Sequence, residues 1–223
     1  MNNKLINYLV MSCIGLLLAM QTSASEYGWG KPLTYKVSIT NITKNVAFTP
    51  FIVATHKSNL HFFELGQTAS QAIADIAEGG NTAALAEMLS ESSDVKNIAN
   101  SSGLLPAGET VEIIIETNIA YRYLSLAAML LPTNDSFIAL DAVALPKFAS
   151  RTYFAHAYDA GSETNDESCV SIPGPLCGGE PFSPNDDGEG FVHIASGISG
   201  EGDLSAALYD WRGPVAKIVI ERM

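Results

Sequence analysis

The 223-residue chain is 47% apolar and carries 24 acidic against 12 basic side chains, a formal net charge of −12. That excess of carboxylate repels phosphate backbones and anionic lipid headgroups, so nucleic acid is not an expected partner. No long apolar segment follows the N-terminal one, so stable membrane insertion is not expected either.

Residues 1–25 read as a secretory signal peptide. Lys4 supplies the positive start, Ile14 to Met20 lies in a short apolar run, and Thr22-Ser23-Ala24-Ser25 offers small residues for cleavage. The rest, residues 26–223, is long enough for one domain with its own core, secreted or periplasmic. Once Cys13 leaves with the signal, Cys169 and Cys177 remain, in a loop with Pro173, Gly174, Pro175 and Gly178. An isolated pair in a secreted chain reads as one structural disulfide, and the spacing does not match a CxxC redox pair.

Glu26 to Pro32 is a lead-in. Leu33 to Ile42 then alternates Tyr35, Val37 and Ile39 with Lys36, Ser38 and Thr40, the mark of a strand with one buried face. Phe51 to Thr55 reads as a second strand and His61 to Leu65 as a short extended piece. Helical spacing is confined to Thr68 to Ala77, ended by Gly79-Gly80, and Thr82 to Leu89, capped by Asn81, with Asp94 to Ala99 as a third turn. Too few apolar residues lie there to enclose a core, so these helices form an insertion packed on the rest. Strands resume at Thr110 to Thr117 and at Tyr123 to Leu131. The latter is almost continuously apolar, which predicts a central strand buried on both faces. Phe137 to Val143, Thr152 to Tyr158, Gly190 to Ser196 and Pro214 to Glu221 complete about eight strands. The fold class is mainly β, an antiparallel β-sandwich with a short helical insertion.

Two turns carry acids: Pro132-Thr133-Asn134-Asp135-Ser136 and Tyr158-Asp159-Ala160-Gly161-Ser162-Glu163. If the strand-like runs between them are neighbours, Asp135, Asp159 and Glu163 converge at one end of a sheet. Carboxylates held together repel one another unless a hard cation lies between them, and calcium is the default outside the cytoplasm. The plainer reading is that Asp and Asn merely form turns. Spacing alone leaves both open.

Both turns, the Leu140-Asp141-Ala142-Val143-Ala144-Leu145-Pro146 run and the Ala54-Thr55-His56-Lys57 segment resemble the spondin domain. That domain is the N-terminal module of F-spondin and mindin and also occurs as stand-alone bacterial secreted proteins. The resemblance implies a C2-like antiparallel β-sandwich with one calcium at a loop end, its ligands falling on Asp135, Asp159 and Glu163. The animal proteins usually have Asp at the third position, so Glu163 keeps the charge on a longer arm. The thrombospondin-type repeats that accompany the animal module are absent, so matrix and receptor roles do not transfer.

Other candidates have blander readings. Ser183 to Glu189, SPNDDGE, loosely matches an EF-hand loop but opens on Ser and lacks flanking helices, so it reads as a solvated loop, a weak second calcium site being the sharper alternative. Asp141 reads as an edge or outward residue. His156 and His193 lie in strand-like runs and read as packed or edge residues. Tyr209, Trp211 and Arg212 are hot-spot residue types, here given a structural role. No HExxH occurs, Glu201 stands where a nucleophile elbow needs its last Gly, and no spacing pairs two carboxylates for glycosidase work. The expectation is a secreted, monomeric, calcium-binding module acting in binding or adhesion, with an extracellular protein or glycan as partner and no enzymatic activity. A carbohydrate-active enzyme with an acidic cleft and a purely structural surface protein are the alternatives.

Overall fold

A computed structural model describes residues 32–185 and 187–223. The predicted signal peptide and most of the lead-in lie outside the described residues. The elements, in chain order, are β1 (Leu33–Asn41), β2 (Ala47–Phe48), β3 (Ile52–His56), α1 (Gln71–Gly79), α2 (Ala83–Ser90), β4 (Val95–Asn100), β5 (Thr110–Thr117), β6 (Tyr123–Leu131), β7 (Ser136–Ala144), β8 (Ser150–Ala155), β9 (Ala157–Asp159), β10 (His193–Ile194), α3 (Ala206–Tyr209) and β11 (Ala216–Arg222). The strands form two antiparallel sheets. One has the order β5-β1-β11-β8; the other runs β10-β9-β7-β6-β3-β4, with β2 paired to β6.

The two sheets pack face to face because each offers one apolar face. Tyr35, Val37 and Ile39 of β1 and Ile218 and Ile220 of β11 meet Val53 of β3 and Leu124, Leu126 and Leu130 of β6. The larger sheet is apolar on its other face as well. There Ile52 and Ala54 of β3, Ala127 of β6 and Phe137 and Ala139 of β7 lie under Ile73 and Ile76 of α1 and Leu85 and Leu89 of α2. The helical insertion thus forms a third layer, and β6 is buried on both sides from Leu124 to Leu131, as its continuous apolar run predicts. Ser70 caps α1 by accepting the Ile73 N–H, and Gly80 ends it at φ +65°.

The differences from the sequence reading have physical causes. Residues Asp94 to Ala99, expected as a helical turn, contribute instead to β4, which pairs with the open edge of β3 from Ile52↔Asn100 to His56↔Val95. A stretch this short has little intrinsic preference, and an available ladder decides it. The single strand expected over Thr152 to Tyr158 breaks at His156. Its first part, β8, pairs with β11 in one sheet, and its second, β9, pairs with β7 in the other. That break, with the short β2 and β10, raises the strand count from about eight to eleven. The His61 to Leu65 stretch is not a strand. The Cys169–Cys177 disulfide is formed, and beside it Ile172, Ile198 and Leu204 make a small core, bridged to the main one by Trp211. That placement gives Trp211 the structural role expected of it.

Candidate metal centre

Strand register builds the site. Ser136, the first residue of β7, faces Asp159, the last of β9, and Asp159 in turn faces His193 of β10. The turn before β7 and the turn after β9 therefore emerge side by side, and the Ala160 N–H donates to the Asp135 carbonyl at 3.1 Å. Gly161 takes φ +65° with its α-carbon against the Phe191 backbone, where an added Cβ would stand 2.4 Å from the Phe191 oxygen. Only glycine fits that corner.

Asp135, Asp159 and Glu163 are all buried, at 0%, 2% and 1% exposure. Asp135 accepts through Oδ2 from the Ser162 N–H at 2.7 Å and the Glu163 N–H at 3.0 Å. Glu163 accepts through Oε1 from the Ser183 N–H and hydroxyl at 3.1 and 2.7 Å. Each has a second oxygen, Asp135 Oδ1 and Glu163 Oε2, that is buried without a hydrogen-bond partner. Asp159 accepts the Gly161 N–H on Oδ1 at 2.8 Å and the Asn165 amide on Oδ2 at 2.9 Å.

So many acids in one buried place suppress each other's ionisation. Burial, then the Asp135 charge, pushes Asp159 up to about 7, against the pull of the Gly161 and Asn165 donors. Burial likewise pushes Glu163 up to about 7, with Glu78 of α1 adding repulsion. Asp135 is raised by burial despite its donors, and Glu78 is raised mainly by burial. A site that disfavours its own negative charge is one that a cation stabilises.

The rival acidic loop exposes Pro184, Asp187 and Glu189 to solvent, as read, but is tied to the site at its base. Thr164 and Asn185 exchange backbone and side-chain hydrogen bonds, Ser183 holds Glu163, and the α-carbon of Gly188 lies against the backbone of Gly161 and Glu163. This fold of the loop carries Glu189 to Asp159. Among the described residues, Asp159, Glu189 and His193 offer three ligand atoms mutually within 4.8 Å. Glu189 entered the sequence reading only within the Ser183 to Glu189 loop, as part of a weak second calcium site, and His193 only as a packed or edge residue. A two-residue strand paired to a distant partner leaves no periodic signal that joins them to Asp159. Asn134, beside Asp135 in the first turn, has its amide engaged: its oxygen accepts the Glu167 N–H and its nitrogen donates to Asp166.

Elsewhere His56, Ser125 and Asp141 meet, but not as a nucleophile relay. Ser125 is fully buried, and Asp141 touches the serine rather than the imidazole.

The spondin N-terminal domain model matches residues 31–168. The chain belongs to the spondin N-terminal domain family. No curated protein matches the chain. Spondin domains are extracellular, non-enzymatic modules of the binding or adhesion type. A disulfide accords with such a compartment. The spondin match takes in Asp135, Asp159 and Glu163 and stops just before Cys169, so the disulfide loop, Glu189, His193 and β11 lie beyond it. No described helix is long and apolar enough to cross a membrane.

Proposed function

We propose that this spondin-type protein is a secreted or periplasmic module that acts by binding, with one calcium ion held at the loop end by Asp135, Asp159 and Glu163. The observation that carries the reading is the pair of buried, unpartnered oxygens, Asp135 Oδ1 and Glu163 Oε2, on residues from two different turns. A buried carboxylate oxygen without a donor is destabilising unless a cation takes it up. The donor set fits calcium, which takes oxygen ligands, about 6–8 of them, the remainder coming from backbone carbonyls and water. The ion would tie the turn after β6 to the turn after β9 and so stiffen the surface offered to an extracellular protein or glycan.

The test is calorimetric titration of the purified protein with CaCl₂, with melting curves in calcium and in chelator. One calcium per chain and a raised melting temperature are expected. Absence of binding with superimposable melting curves would reduce the acidic turns to turn formers.

A further inference from the structure

With two residues from beyond the span of the spondin match, Glu189 and His193, the loop end holds a second set of metal-ligand atoms with a different chemistry. His193 Nε2 lies 3.4 Å from Asp159 Oδ1 and 3.4 Å from Glu189 Oε2, and it is buried without a hydrogen bond. The other ring nitrogen, Nδ1, lies 3.0 Å from the Ile194 carbonyl oxygen. With the proton on Nδ1 donated to that carbonyl, the Nε2 lone pair points at the two carboxylates. Metal-binding histidines are oriented in this way, by a backbone acceptor on the far nitrogen. The carboxylates are oriented too. The Asn165 amide nitrogen lies 2.9 Å from Asp159 Oδ2 and 3.5 Å from Glu189 Oε1, leaving Oδ1 and Oε2 toward the imidazole.

The two distances from the imidazole suit a small ion. Ligands about 2.1 Å from a tetrahedral zinc stand about 3.4 Å apart. Calcium takes hard oxygen ligands, whereas imidazole suits zinc and its neighbours. All three residues line a cleft of about 280 Å³, together with Asn134, Ser199 and Glu201. Three protein ligands beside an accessible fourth position are the arrangement of an open rather than a closed zinc site.

We propose that Asp159, Glu189 and His193 form a zinc site open to this cleft, distinct from the calcium set and sharing only Asp159 with it. Titration of the purified protein with ZnCl₂ in calcium-free buffer should give one zinc per chain, and cobalt(II) should give the intense visible spectrum of a low-coordinate nitrogen–oxygen site. His193→Gln and Glu189→Gln should each weaken zinc at least about tenfold. His193→Gln should leave one calcium per chain, because it removes no calcium ligand. No zinc isotherm for the parent protein would mean that a protonated imidazole sits between the carboxylates, and would overturn the proposal. An isotherm unchanged in His193→Gln would overturn it as well, by placing the metal on other acids. Failure of the calcium titration leaves the zinc result standing, since the two sets are read by different ions and different variants.

Discussion

Asp135 does two jobs with two oxygens. Oδ2 receives three donors, the N–H groups of Ser162 and Glu163 and the Ser162 hydroxyl, while Oδ1 has none. Asp135→Asn keeps one oxygen for the turn and replaces the other with an uncharged NH₂. The variant should therefore melt at or above the parent temperature in chelator at pH 7.5, because a buried charge is gone, and should lose most of the rise that calcium gives. Equal losses in calcium and chelator, read by scanning calorimetry, would assign the side chain to the turn alone. Gly161→Ala is the opposite case. Its Cβ meets the Phe191 carbonyl at 2.4 Å with φ at +65°, so a loss of about 1–3 kcal/mol is expected in both media. A denaturant midpoint unchanged from the parent would contradict that close approach. At this scale the two acid-bearing turns were legible as turns, whereas the grouping of Asp135, Asp159 and Glu163 as one ligand set came from the spondin resemblance, spacing alone leaving it open. The grouping of Glu189 and His193 with Asp159 was not legible, since it depends on one short pairing to Asp159 that no local pattern encodes.

The β6–β7 hairpin shows how an element acquires polar interior parts. Its ladder shifts register between Leu124 and Leu126, and Ser125 at that irregularity is fully buried. Its hydroxyl lies 2.8 Å from His56 Nε2, accepts the Ala142 N–H at 2.8 Å and approaches Asp141 at 3.3 Å. Asp141 in turn accepts the Phe62 N–H at 2.7 Å and lies 2.6 Å from His61 Nδ1, which pins the segment before α1 to the sheet. The reading of Asp141 as an edge or outward residue did not foresee these partners, because an acid inside an apolar strand gains them from another segment. Burial keeps the His56 imidazole below its ordinary pKa, hence neutral and reliant on its hydrogen bonds. Ser125→Ala strands the Ala142 N–H and the imidazole together, so a loss of about 1–3 kcal/mol is expected. Urea unfolding should show a lower midpoint with an unchanged slope; a midpoint equal to the parent would mean that water replaces the hydroxyl. The strands themselves were readable where burial is regular, as in β1, β5 and β6. They were not readable where the chain changes partners, as at His156, or where an open edge recruits a stretch of weak preference, as in β4.

Taken whole, the molecule carries a formal net charge of −12 and gathers Asp135, Asp159, Glu163, Glu189 and Glu78 at one loop end. In chelator this arrangement makes stability depend on pH in a definite direction. Asp159 and Glu163 are pushed up to about 7 in the folded protein, whereas unfolded carboxyls titrate near about 4. Between those values the folded state holds more protons than the unfolded one, so stability falls as pH rises from about 4 to about 7 and changes little beyond. Calcium reverses the preference at the loop end, because it binds the ionised carboxylates and expels those protons. At a calcium concentration of about one hundred times Kd the ion adds about 2.7 kcal/mol. For a domain of this size that is a rise in Tm of roughly 5–10 °C, largest near pH 7 and shrinking toward pH 5 as protons compete for the same oxygens. Melting curves at pH 5, 6 and 7.5, with calcium and with chelator, read both effects at once. A calcium-induced rise independent of pH would mean that the ion binds exposed acids with ordinary pKa values. A chelator series flat across the same range would mean that the buried carboxylates are ionised in the fold without any cation, and the basis for a metal at this loop end would be gone.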